Sequence, residues 1–139
     1  MKILIAADGS DYTRRALDYL ASHDWLRAGN ELTVLYIVPA LPHRAAARAG
    51  ADLVDSYYQD DAERVIGPLR ETMKSRGIDA RFIHYVGHPA EHIARTAIDL
   101  GADLIVMGSH GHGSIGSLLL GSVTTKVLAM CKTPVLLIR

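Results

Sequence analysis

Five short apolar runs divide the chain, at residues 2–7, 32–38, 80–86, 103–107 and 135–138, and amphipathic stretches fill the intervals between them. An unbroken apolar run of this length, bounded by Gly, Pro or Asp, reads as a strand buried on both faces. In the first interval Ala16, Leu17, Leu20 and Ala21 recur at helical spacing, and Gly29-Asn30 closes the segment. In the second, Tyr58, Ala62, Val65, Leu69 and Met73 mark one face of a helix running from Leu53 to about Lys74. Gly67-Pro68 falls inside it and predicts a kink or two shorter helices, because proline removes the N–H that would reach the carbonyl of Arg64. After Gly87-His88-Pro89 a third helix should bury Ile93, Ala94, Ala97 and Ile98 before Gly101 ends it. A fourth begins at about Val123 and ends at about Cys131, with Ser122 as its expected N-cap. Strand–helix–strand units this short demand parallel strands and right-handed crossovers. The expected fold is therefore one doubly wound α/β domain over residues 1–139, a five-stranded parallel sheet with helices on both faces. Residues 80–86 alternate in part, as an outer strand does, and Pro39 to Gly50 predicts no regular structure.

Charge narrows the partners. Fifteen basic residues balance fifteen acidic ones, so no net field draws the protein to nucleic acid or to an anionic membrane, and neither is expected as a partner. The single cysteine, Cys131, permits no intrachain disulfide and reads as a small apolar residue at a helix end. The apolar run at the N-terminus meets Asp8 too soon for a signal peptide or a span, so a cytoplasmic location is expected.

The chemistry concentrates between residues 107 and 124, MGSHGHGSIGSLLLGSVT, which carry five glycines, four serines and two histidines. A glycine-rich loop between a strand and a helix presents backbone N–H groups beside a helix N-terminus, where a phosphate can sit. No Asp or Glu follows Asp103, so nothing nearby repels an anion. The P-loop pattern is absent, and Gly111 to Gly116 matches GxGxxG without the acidic residue that a dinucleotide fingerprint places about twenty positions on. Asp8-Gly9-Ser10 ends the first strand, and if strands one and four are neighbours it faces the same crevice. Asp8 could then hold a ribose hydroxyl or a divalent metal, Mg²⁺ or Mn²⁺, or it could serve only to cap the first helix. His110 and His112 lack a third ligand at metal-binding spacing. Arg44 and Arg48 could reach a ligand's phosphates from the long connection, although a solvated loop is the ordinary reading of such a segment.

The spacing G-x2-G-x9-G-S formed by Gly108, Gly111, Gly121 and Ser122, with ADGS after strand one, VGHP before the third helix and TPVLLI at the end, resembles the ATP-binding members of the universal stress protein family over essentially the whole chain. The resemblance implies the strand order 3-2-1-4-5 and a phosphate cradle from Gly108 through His110 to Gly111. Gly121, Ser122, Val123 and Thr124 complete that cradle at the start of the last helix. It also implies that Asp8 contacts adenosine, that Ile37 meets adenine through its backbone, and that Met107 lines the pocket. The Ala6-Ala7 pair departs from relatives that have proline or valine there. The resemblance implies an ATP-binding stress-response or signalling module, with ATP alone or with Mg²⁺ or Mn²⁺. No residue is singled out as catalytic, and activity is expected at most as slow hydrolysis or self-phosphorylation. The alternative reading is a protein–protein module without nucleotide. The apolar segment Val135 to Ile138, an edge strand in that order, predicts a homodimer.

Overall fold

The computed structural model describes residues 1–113 and 119–139. Its elements run β1 (Lys2–Ala7), α1 (Asp11–Ser22), α2 (Asp24–Arg27), β2 (Glu31–Val38), α3 (His43–Ala49), α4 (Ala51–Ser75), β3 (Arg81–Val86), α5 (Pro89–Leu100), β4 (Leu104–Gly108), α6 (Ser122–Met130) and β5 (Val135–Ile138). The five strands form one sheet in the order β3-β2-β1-β4-β5, every neighbouring pair parallel. Strand order reverses between β1 and β4, which pair from Ile3 opposite Leu104 to Ala6 opposite Met107.

Alternation along the strands divides the core into two sides. Ile3, Ile5 and Ala7 of β1 pack with Leu17 and Leu20 of α1 and with Leu69 and Met73 of α4. Leu4, on the opposite face, packs with Ile93 and Ala97 of α5 and Val127 of α6. Leu4, Ile5, Leu20 and Ile105 are completely buried, each contributing about 1.5–3 kcal/mol relative to an exposed position. Helices thus cover both faces, and the sheet's carboxyl edge is left between them.

Four details differ from expectation. The segment before Asn30 is two helices, broken at His23, whose ring stacks on Tyr19 at 3.8 Å between centroids. The long connection contains α3, an alanine-rich helix with no buried residue that ends at Gly50 with φ +84°. Its helicity rests on alanine's intrinsic propensity and leaves no apolar periodicity to read. Pro68 does not divide α4, because Ala62, Ile66, Leu69 and Met73 on either side of it are buried on one continuous face. Finally, Ile98 is 65% exposed. At about 100° per residue it falls to the flank of a stripe set by Ala90, Ile93, Ala94 and Ala97.

Candidate functional site

The end of β1 turns sharply at Gly9, whose φ of +76° suits glycine, and Ser10 starts α1. Helix capping falls to Ser10, whose Oγ accepts the Thr13 N–H at 3.4 Å. Asp8 instead ties the turn together: its Oδ1 accepts from the Ser10 N–H at 2.9 Å and from the Thr13 hydroxyl at 2.8 Å. Its Oδ2 faces the glycine loop, so close that a Cβ on Gly111 would lie 2.7 Å from it.

The described residues of the glycine loop, 108–113 and 119–121, pack tightly on one another and on α1. A Cβ on Gly108 would meet the Tyr12 Cβ at 2.5 Å, and one on Gly121 would meet the His110 Cα at 3.1 Å and the Ser109 carbonyl oxygen at 3.2 Å. The Gly121 N–H donates to the Ser109 carbonyl at 2.8 Å, and the Thr124 hydroxyl donates to the Gly108 carbonyl at 3.1 Å. Both histidines fasten the loop. Nε2 of His112 donates to the Asp8 carbonyl at 2.7 Å, and Nε2 of His110 bonds the Leu119 carbonyl while its Nδ1 lies 3.0 Å from the Ser109 hydroxyl. Helix α6 begins one residue earlier than expected, with Gly121 as N-cap and Ser122 as its first residue, and no side chain caps it. The first N–H groups of a helix have no intrahelical partner, and those of Ser122, Val123 and Thr124 show none among the described residues.

Above these elements opens a cavity of about 860 Å³ at the carboxyl ends of the central strands, within the usual range for ligand pockets. Asp8 of the β1 turn, Ile37 of β2, and Met107 and Gly108 of β4 line it. His110 and Gly111 of the loop line it too, as do Gly121, Ser122, Val123 and Thr124 around the start of α6. Every residue that the family resemblance implied for the site therefore lines one space. Arg44 and Arg48, on the exposed α3, do not line it. Ser114, Ile115 and Gly116, the second half of the GxGxxG match, lie outside the described residues. A divalent ion at Asp8 would take most of its ligands from phosphate oxygens and water, since no group of three or more His, Cys, Asp or Glu that could hold a metal exists among the described residues.

Sequence reasoning missed the wall formed by α1 and α4. Arg14 and Arg64 both line the cavity. Arg64 donates through Nη2 to Oδ1 of Asp61, and the Tyr36 hydroxyl donates to Asp61 Oδ2 at 2.8 Å. Burial first, and the Asp61 hydrogen bond second, push the Tyr36 phenol above the ordinary tyrosine range. Burial also acts to raise the Asp61 carboxyl, but hydrogen bonds from Arg64 and Tyr36 outweigh it and hold the group below its ordinary value. Only the i, i+4 relation of Arg64, Pro68 and Thr72 hinted at this wall in sequence.

The model of the universal stress protein family matches residues 1–139. A universal stress protein of Thermus aquaticus is 37% identical over 140 residues, covering 99% of this chain and 97% of the relative. Universal stress protein YxiE of Bacillus subtilis is 30% identical over 146 residues, covering 99% and 98%. Among solved structures, hypothetical protein MJ0577 of Methanocaldococcus jannaschii superposes with a TM-score of 0.81 at 28% identity, covering 99% of this chain and 94% of that one. Two more distant structures share the fold. A universal stress protein in complex with cAMP has a TM-score of 0.72 at 24% identity, covering 100% and 97%. The universal stress protein of Archaeoglobus fulgidus in complex with dAMP has 0.71 at 22%, covering 100% and 98%. No helix among the described residues is long and apolar enough to cross a membrane.

Proposed function

Because this chain belongs to the universal stress protein family, we propose that it binds ATP in the cleft over β1 and β4 and acts as a cytoplasmic stress-response or signalling module. The observation that carries this reading is the start of α6, which no described side chain caps and whose first residues, Ser122 to Thr124, line the cavity together with the three glycines of the spacing motif. The phosphates lie in the loop from Gly108 to Gly111 and against Gly121 to Thr124, and adenosine lies toward Asp8, Ile37 and Met107. Mg²⁺ or Mn²⁺, when bound, neutralises phosphate charge, and Asp8 Oδ2 is the oxygen that would hold it. Fast catalysis is not part of the proposal. Ser109 is only 1% exposed and Asp8 Oδ1 is engaged by its own turn, so no side chain stands out as the oriented nucleophile or base that phosphoryl transfer needs.

A second reading, that the guest is an adenine monophosphate, is favoured by the family structures solved with cAMP and dAMP. Calorimetric titration with ATP, ADP, AMP and cAMP, with and without Mg²⁺, separates the two. ATP should bind tightest; equal affinity for AMP and ATP would favour the second reading. No heat from any of the four, at concentrations up to millimolar, would leave the chain a nucleotide-independent protein–protein module. The same proposal includes a homodimer formed through β5, the sheet's apolar edge.

A further inference from the structure

The cavity is lined by more residues than the nucleotide reading uses, and the elements that carry them say where the remainder lies. Tyr36 and Ile37 are successive residues of β2 and point to opposite faces of the sheet: Tyr36 packs on Ala62 and Ile66 of α4, Ile37 among the residues of α5 and α6. Both line the cavity. It therefore passes over the carboxyl edge of the sheet, with one arm between the glycine loop, α5 and α6, and a second between α1 and α4.

The second arm has a chemistry of its own. Along α4, Arg64, Pro68 and Thr72 succeed one another at every fourth position, beside Val65 and Leu69, and all five line the cavity. They make a strip about 12 Å long at the rise of an α-helix, apolar in the middle and headed by a guanidinium. Arg14 lines it from α1. The carboxylates that pair with these arginines, Asp11 and Asp61, are not in the lining, where Asp8 is the single acidic residue. Arg64, whose side chain is 73% exposed at the rim of the cavity, pairs with the Asp61 carboxylate, which the Tyr36 hydroxyl holds in turn. A guanidinium carries five N–H donors, and those left by Asp61 suit a carboxylate.

We propose that the arm between α1 and α4 is a second binding site, for a small amphiphilic carboxylate whose apolar body lies on Val65, Pro68 and Leu69 and whose head is taken by Arg64 and Arg14. The site is separate from the glycine-loop arm and does not depend on what that arm binds. Octanoate is the probe and 1-octanol its uncharged counterpart, titrated by amide NMR into the ligand-free protein and then into protein holding ATP. Octanoate should shift the amides of residues 64–72, and 1-octanol should bind at least tenfold more weakly. Arg64→Gln should remove that difference, and Thr72→Trp, which fills the strip's far end, should abolish octanoate binding with the circular dichroism spectrum unchanged. Octanoate shifts confined to residues 108–124, equal affinity for the alcohol, or an unchanged Arg64→Gln would each overturn the proposal. So would displacement of octanoate by ATP, whereas a protein that ignores ATP and still binds octanoate at α4 would support it.

Discussion

Gly121 lacks a Cβ on account of the loop rather than of any guest: the space a methyl group would take is already held by the backbone of Ser109 and His110 at 3.1 to 3.2 Å. Substitution there should act by displacing the cradle. Gly121→Ala requires a shift of a few tenths of an ångström and should weaken ATP modestly. Gly121→Val should weaken it by more than tenfold in calorimetry, with the far-ultraviolet circular dichroism preserved. Wild-type affinity in the valine variant would remove this loop from the site. Asp8 combines two duties that separate variants can divide. Asp8→Ala loses the acceptor for the Ser10 N–H and the Thr13 hydroxyl, a loss of about 1–2 kcal/mol in denaturant unfolding. Asp8→Asn keeps an acceptor oxygen for that turn and removes the charge, so it should remain nearly as stable as wild type while losing any Mg²⁺ dependence of ATP binding. If Asp8→Asn binds ATP with the same Mg²⁺ dependence as wild type, Asp8 holds no metal. The residues expected at the glycine loop were legible because spacing ties them together. Arg14 and Arg64 were not, since no motif joins two residues on separate helices.

The contact between α4 and β2 sets a pH window through the pair Asp61 and Tyr36. The Asp61 carboxyl is lowered from an ordinary value of 3.8, so its contribution to stability is present above that pH and is lost as pH falls through the folded value. The Tyr36 phenol is raised from 10.0, so its contribution is present below that pH and is lost as pH rises through the folded value. Melting temperature plotted against pH should fall at both ends. Tyr36→Phe should flatten the alkaline fall and Asp61→Asn the acid one; a profile unchanged in both variants would remove the pair from the account. At the β5 edge of the sheet, backbone direction decides how to test the dimer. The Ile105 N–H donates to the Pro134 carbonyl and the Ser109 N–H to the Ile138 carbonyl, both at 2.8 Å, and parallel pairing alternates along a strand. Leu136 and Ile138 thus face β4, while Val135 and Leu137 turn their N–H groups outward. Leu137→Pro removes an outward donor and spares the ladder within the sheet. Light scattering should report a dimer for wild type and a monomer for this variant, and a folded Leu137→Pro dimer would move the seam elsewhere. The elements themselves were legible in sequence where burial enforces a period. They were illegible in α3, which buries nothing, and at Pro68, where packing on both sides carries α4 across the missing bond.

For the molecule as a whole, the doubly wound sheet followed from alternation alone, because so few topologies join parallel strands through short right-handed crossovers. The strand order needed the family resemblance. Apolar runs declare that strands are buried but not which neighbour each one has. That order has a consequence for the site. His112 bonds Asp8 across 104 residues of chain, and the cleft has no floor without β4 beside β1 and no far wall without α6. A fragment that stops short of β4 would therefore lack the proposed site, however well its own βαβ unit had folded. A ligand in the cleft would bridge segments about a hundred residues apart in the chain. At one hundred times its dissociation constant it would add about 2.7 kcal/mol to the stability of the whole, so that occupancy would report that distant segments of the chain have come together.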